Sequence, residues 1–186
     1  MTVTVVTDSS ARIPAELAVA KGIRVVPLHI LIDGADLRDG VDDLLADLDD
    51  RVASTAGASP AELAAAYRAA LADSAGDGVV AVHLSGQLSG TCAAAELAAA
   101  EVGPQIRVVD SRSAAMGTGF VALAAATAAA DGADLESVAA RAQSVSGRTD
   151  GYIVVQRLDN LRRSGRIGGA AAWLGTALSL KPLLRV

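Results

Sequence analysis

The chain has 186 residues, 52% of them hydrophobic but only 2% aromatic, and a formal net charge of −5. That length allows one good domain or two small lobes sharing a cleft, with a core of small side chains that requires close backbone packing. Without a basic run it lacks the clustered Lys and Arg that neutralise phosphates, which excludes a nucleic-acid partner, and the single Cys92 excludes an internal disulfide framework and suits a reducing cytoplasm.

Residues Met1 to Asp8 have neither the basic head nor the long apolar run of a signal peptide. Val3 to Val6 reads as a buried strand that delivers Thr7, Asp8, Ser9 and Ser10 to its C-terminal end. Pro14 fits the first turn of a helix ending near Lys21, with Gly22 as its stop. Ile23 to Ile32 is a second extended run, closed by the turn pair Asp33-Gly34, and Pro27 marks an edge strand or a break. His29 carries no assigned role. Leu37 to Gly40 reads as a loop, followed by an acidic helix from Val41 to about Arg51. The aspartates of that helix lack the Gly and terminal Glu of a calcium loop and read as a solvated face.

Residues Ala53 to Ser59 form a loop of small residues. Ser59, Pro60 and Glu62 give the next helix an N-cap, a proline at its first position and a capping-box glutamate. Leu63, Tyr67, Ala70 and Leu71 share one face of it. Ser59 is thereby explained structurally, whereas Ser54 and Thr55 are left open to a ligand.

The stretch from Val79 to Glu96 is the centre of the chain: an apolar strand, a loop of small polar residues, then an Ala-rich helix. Ser85, Gly86, Ser89, Gly90 and Thr91 fall where the strand hands over to the helix, the usual place for a ligand in an open α/β sheet. Unpaired N–H groups and partial positive charge at a helix start suit an anionic headgroup. His83 reads as a packed strand histidine.

Ile106 to Val109 is another strand, ending in Asp110-Ser111 as the first ends in Asp8-Ser9. The uncharged stretch from Ala114 to Ala130 is too short and too rich in Ala, Gly and Thr for a membrane span, so it reads as a buried helix and no stable membrane insertion is expected. Asp131-Gly132 breaks it, Asp134 and Glu136 open another helix to about Ser144, and Tyr152 to Val155 is the next strand. Asp159 and Gly165 delimit a short helix carrying Arg162 and Arg163. Arg166 then lies in a tight Gly-rich turn, where a guanidinium is well placed for a carboxylate or phosphate. Ala170 to Leu180 reads as an apolar helix, and the segment from Lys181 enters a last extended run as the sequence given stops, which reads as an incomplete fold.

Taken together, these motifs resemble the DegV family: Val6-Thr7-Asp8-Ser9-Ser10, the proline-led first helix, Leu37 to Asp42, Leu88-Ser89-Gly90-Thr91, Val109-Asp110-Ser111, Leu161 to Ile167, and Lys181-Pro182-Leu183-Leu184, in that order. The resemblance implies a two-lobed α/β fold, with parallel sheets and flanking helices and a second lobe that is incomplete here. It suggests an N-terminal lobe over 1–76 and a second lobe over 77–186, with 150–180 packing back between them. It further implies a cytoplasmic, non-catalytic protein without cofactor or metal, which binds a long-chain fatty acid in the inter-lobe cleft. Like FakB-type members it would present the carboxylate to an ATP-dependent fatty acid kinase subunit and carry the acyl phosphate for lipid synthesis. Thr55 and Ser89 would hold the carboxylate, and Arg166, Gly90 and Thr91 would lie near the headgroup or partner. The competing readings are a small-ester hydrolase or phosphate-ligand enzyme built on the Ser89 loop, or a truncated remnant that binds nothing. The residues around Ser89 form no Gly-x-Ser-x-Gly elbow, and the loop lacks the lysine of a P-loop.

Overall fold

A computed structural model describes residues 3–43, 53–154, 165–166 and 183–185. The chain divides into two compact units, Met1–Thr149 and Asp150–Val186. The first unit is organised by four parallel strands in the order β2-β1-β6-β7, where β1 is Thr4–Asp8, β2 Ile23–Val26, β6 Val79–His83 and β7 Ile106–Asp110. These strands are Val- and Ile-rich because both faces of the sheet are covered, as parallel sheets require. Alternating side chains divide between two cores. Val5, Val80, Val82 and Val109 pack against α4 (Met116–Ala130) and α5 (Leu135–Ser146). Val6, Val79, Ala81 and Ile106 pack against α2 (Pro60–Asp73) and α3 (Thr91–Val102). Ala122, Ala125, Ala95 and Ala98 are buried at these helix faces, so small side chains let the helices seat directly on the strands.

The local signals behave as the chemistry dictates. The Ser59 hydroxyl accepts from Glu62 N–H and the Glu62 carboxylate accepts from Ser59 N–H, so α2 begins in a complete capping box. Asp134 accepts from Ser137 N–H to cap α5. The extended run from Ile23 splits at Pro27: β2 joins the parallel sheet at its edge, whereas β3 (His29–Ile32) joins an antiparallel sheet β4-β3-β5 with β4 (Ala35–Arg38) and β5 (Ala53–Ala56). Asp33 (φ 50°) and Gly34 (φ 80°) both take the left-handed region, which a two-residue hairpin of right-twisting strands demands.

Four readings of the sequence change. Leu37 and Arg38 belong to β4 rather than a loop, because they pair with Ile30 and His29. Residues 53–56 are a strand rather than an open loop, held by pairing to β3. The reading of an acidic helix at 41–51 fails in its first part: Val41 and Asp42 form a turn, and the rest lies outside the described residues. The boundary at 76/77 also cuts through one sheet, since β1 pairs with β6 on the far side of it. The helices expected at 159–165 and 170–180 lie largely or wholly outside the described residues.

The first unit also holds α1 (Ala15–Ala20), which packs beside β2. The second unit contributes an antiparallel pair, β8 (Tyr152–Val154) with β9 (Leu183–Arg185), and Arg185 forms an ion pair with Asp150 at 2.7 Å.

Candidate functional site

The strand order reverses between β1 and β6: β1 is followed in sequence by β2 on one side, and β6 by β7 on the other. A sheet of this kind opens a crevice at the C-terminal ends of those two strands. Asp8 ends β1 and His83 ends β6, both fully buried. His83 Nδ1 lies 2.9 Å from Asp8 Oδ2, and its Nε2 lies 2.8 Å from the Tyr67 hydroxyl on α2. Burial alone would raise the Asp8 pKa. The hydrogen bond and charge of His83, with bonds from Ser10 and from Leu84 N–H, outweigh it and hold the carboxyl below its ordinary value. Tyr67 moves upward, first because it is buried and then because of Cys92 and Asp8 nearby.

The loop after β6 is fastened at three successive residues. Leu84 N–H donates to Asp8 Oδ2 at 3.1 Å, Ser85 N–H to the Ser113 carbonyl at 2.8 Å, and Gly86 N–H to Asp110 Oδ2 at 3.2 Å. Beyond them the loop folds on itself, with Leu88 N–H and Ser89 N–H both donating to the Ser85 carbonyl. Ser85 is buried and its hydroxyl accepts from Gln87 N–H, so it serves the turn. Ser89 is half-buried. Its hydroxyl oxygen accepts from Thr91 N–H at 3.2 Å and lies 2.9 Å from the Thr91 hydroxyl. Gly90 is exposed and opens α3 without a side-chain cap, while Thr91 is fully buried behind it.

Thr55 comes from the antiparallel sheet. It sits opposite Ile30, which is paired on its other side with Leu37, so the three share one face of that sheet. Thr55 is exposed. Its strand leads into Gly57, which abuts the start of α3: a Cβ at 57 would lie 2.5 Å from Thr91 Oγ1. The segment carrying Thr55 and the loop carrying Ser89 therefore meet through Gly57 and Thr91, a contact with no sequence signal beyond a glycine in a loop. Gly165 takes a left-handed conformation (φ 74°), in keeping with a tight turn, and Arg166 beside it is exposed, within the second unit.

Chemically, the half-buried Ser89 hydroxyl at the start of α3 and the exposed Thr55 hydroxyl on β5 can each donate to an oxyanion. The hydrolase arrangement is not built: both ring nitrogens of His83 are engaged by Asp8 and Tyr67, and the Ser89 hydroxyl is bonded within its own loop. A cavity of about 320 Å³ opens between Asp8, Arg12, Ile13, Val25, Pro27 and Val41, but neither Ser89 nor Thr55 lines it. At its rim the motif residue Asp39 is buried, accepting from the Ser9 hydroxyl at 2.8 Å and pairing with Arg12 at 3.0 Å, a structural role. Among the described residues no group of three or more His, Cys, Asp or Glu could hold a metal ion, and no helix is long and apolar enough to cross a membrane.

Comparison with known proteins places these features in context. A DegV domain-containing protein of Mycobacterium tuberculosis is 65% identical over 186 residues, covering 100% of this chain and 66% of the relative. A solved structure from Thermus thermophilus, described as the fatty acid binding of a DegV family protein, matches with a TM-score of 0.89 and 38% identity over 100% of this chain and 68% of its own. DegV of Bacillus subtilis, described as a fatty acid binding protein, matches with a TM-score of 0.85 and 30% identity, again over 100% of this chain and 68% of that one. The chain thus spans about two thirds of the length of the relatives it matches. The family model described as "Uncharacterised protein, DegV family" matches residues 2–186, and the chain belongs to the DegV family.

Proposed function

We propose that this chain binds a long-chain fatty acid, with Ser89 and Thr55 holding the carboxylate and the acyl tail running into an apolar cleft. The observation that carries the reading is the meeting of the Thr55 segment with the Ser89 loop through Gly57 and Thr91. It brings two hydroxyl-bearing segments together at the start of α3. The fatty acid binding described for the Thermus and Bacillus relatives supports the choice of ligand.

Magnitudes divide the work between the two ends of such a ligand. Burying ~14 methylenes at about 0.8 kcal/mol each gives roughly 11 kcal/mol gross, against association costs of about 4–15 kcal/mol. Hydrogen bonds to a charged carboxylate contribute about 1.5–3 kcal/mol each. The tail supplies affinity and the two hydroxyls supply register.

In this reading the protein is a non-catalytic, cytoplasmic carrier. It presents the bound carboxylate to a separate ATP-dependent kinase subunit and carries the acyl phosphate onward to lipid synthesis. Arg166 and Gly90, both exposed, are proposed to serve the headgroup or the kinase, whereas the buried Thr91 would act there only through its bond to Ser89. The test is mass spectrometry of protein purified from a bacterial host and then denatured, followed by incubation with a fatty acid kinase and ATP. A co-purifying fatty acid and formation of acyl phosphate are expected. Protein that emerges clean and takes up no added palmitate removes the carrier reading, and binding without phosphorylation removes only the kinase step.

A further inference from the structure

We propose that Asp8 and Asp110 are positioning residues for the Ser89 hydroxyl, two carboxylates on the strands flanking β6 that grip the loop after it by its backbone N–H groups. The inference rests on the reading that Ser89 contacts the ligand's carboxylate. Its basis is a repeated feature of the sequence to which the function so far gives no role, the Asp-Ser ending of β1 and of β7. Those strands lie on either side of β6, one against each edge. From one side Asp8 Oδ2 accepts Leu84 N–H at 3.1 Å; from the other Asp110 Oδ2 accepts Gly86 N–H at 3.2 Å.

The loop needs such a grip. Between Ser85 and Gly90 it holds two glycines and two serines, a backbone with wide conformational freedom. Its internal bonds, from Leu88 and Ser89 to the Ser85 carbonyl, close a small turn but do not fix that turn to the sheet. Backbone N–H groups at 84, 85 and 86 tie its first half to Asp8, Ser113 and Asp110, and the Ser89 hydroxyl is carried beyond them. Gly86 is small for a reason that fits: a Cβ there would lie 3.2 Å from Asp110 Oδ2, crowding the carboxylate that its N–H must reach.

Two carboxylates near an anion-binding hydroxyl would repel the ligand unless their charge were absorbed. Asp8 accepts four hydrogen bonds, from His83, Leu84 N–H, Ser10 N–H and the Ser10 hydroxyl. Asp110 accepts Gly86 N–H on one oxygen and Arg112 N–H, at 2.7 Å, on the other. Asp110 lies close to the start of α3: a Cβ on Gly86 would be 3.2 Å from Asp110 Oδ2 and 3.7 Å from Cys92 Cβ, in the first turn of that helix. The two aspartates are not equivalent: Asp8 is buried in a network with His83 and Ser10, whereas Asp110 is half-buried and can be changed without opening the core.

The experiment compares Asp110→Ala and Asp110→Asn with the parent chain and with Ser89→Ala. It reads amide hydrogen exchange at Gly86, affinity for [1-13C]palmitic acid, and the 13C signal of the bound carboxyl. Asp110→Ala is expected to speed Gly86 exchange at least about tenfold, to weaken palmitate binding about tenfold and to move the carboxyl signal. Asp110→Asn keeps one acceptor oxygen where the carboxylate offers two, so it is expected to recover all three only in part, a rescue that a purely charge-based role would not give. Asp8→Asn, read at the Leu84 amide, supplies the second arm. Gly86 exchange unchanged in Asp110→Ala overturns the proposal, as does palmitate binding with an unmoved carboxyl signal in Asp110→Ala while Ser89→Ala weakens it. Parent protein that takes up no palmitate removes the fatty acid reading instead, and the Gly86 exchange rate still decides the grip.

Discussion

Gly57 and Thr91 touch: a Cβ at 57 would sit 2.5 Å from Thr91 Oγ1 and 3.5 Å from Thr91 Cα. Thr91 is fully buried and its hydroxyl is bonded to Ser89, so it cannot yield without disturbing the site. Gly57→Ala should therefore cost about 1–3 kcal/mol as an overpacked contact and weaken fatty acid binding in parallel. Urea denaturation and fatty acid titration read the two effects. Thr91→Ala in the same chain should recover part of the lost stability. An unchanged midpoint in Gly57→Ala would mean that the two segments are free to part.

Ser89→Ala removes the acceptor of Thr91 N–H and the hydroxyl proposed to hold the ligand. One charge-assisted hydrogen bond at about 1.5–3 kcal/mol corresponds to a loss of roughly 10- to 150-fold in affinity. Displacement of a fluorescent fatty acid measures it. Thr55→Ala should lose affinity to a comparable degree, and because Thr55 is exposed at the surface of β5 its stability cost should be smaller. Equal affinities for both variants and the parent would place the headgroup elsewhere.

The parallel sheet was legible because its strands are buried on both faces, which writes continuous runs such as Val79–Val82 into the sequence. The capping box of α2 and the Asp33-Gly34 turn were legible for the same local reason: the signal and the structure occupy the same few residues. Ala53–Ala56 was not. Ala and Ser have little preference for strands, and this strand exists because β3 offers it a ladder. Nor could local pattern show that Thr4 pairs with Val79 across the division expected at 76/77, since that pairing is settled by the packing of helices far apart in sequence. At the site, the sequence leaves Ser54 and Thr55 open to a ligand and Ser89 falls among the small polar residues after β6, but only the family resemblance singles out Thr55 and Ser89; His83 was recognised as a packed residue. Its partners Asp8 and Tyr67 were not, because three residues from β1, α2 and β6 meet only once the sheet is assembled.

Tyr67→Phe tests that buried trio. The hydroxyl is held 2.8 Å from His83 Nε2 in a fully buried setting, and its removal leaves the ring nitrogen without that partner. A loss of about 1–3 kcal/mol is expected in chemical denaturation. Tyr152→Phe, at a residue 61% exposed, should stay within about 0.5 kcal/mol of the parent. Equal stabilities of the two variants would show that the Tyr67 hydroxyl contributes nothing net.

A pH dependence follows from His29, which faces Asp36 on β4 at 2.8 Å and Glu62 on α2 at 3.2 Å, with Arg38 paired beside it. The Asp36 hydrogen bond is the largest influence and raises the His29 pKa; partial burial opposes it and Glu62 adds to the rise. A histidine with a raised folded pKa stabilises the fold fully below its unfolded value near 6.5, and that contribution is lost as pH climbs through the folded value. Glu62 works in the opposite direction. Its carboxyl is lowered first by the Ser59 hydrogen bonds and further by His29, so its share is present above the ordinary glutamate range and fades in acid. Both shares coexist between roughly pH 5 and 6.5. The parent chain should accordingly exceed His29→Gln in stability at pH 6 by more than it does at pH 8.5, since the variant keeps every other titrating group. Because Glu62 also caps the helix that follows the Thr55 strand, fatty acid affinity should show the same narrowing with pH. Urea midpoints for the two chains at both pH values decide it: a difference that stays constant or widens toward pH 8.5 would show that protonated His29 does not bridge the two carboxylates.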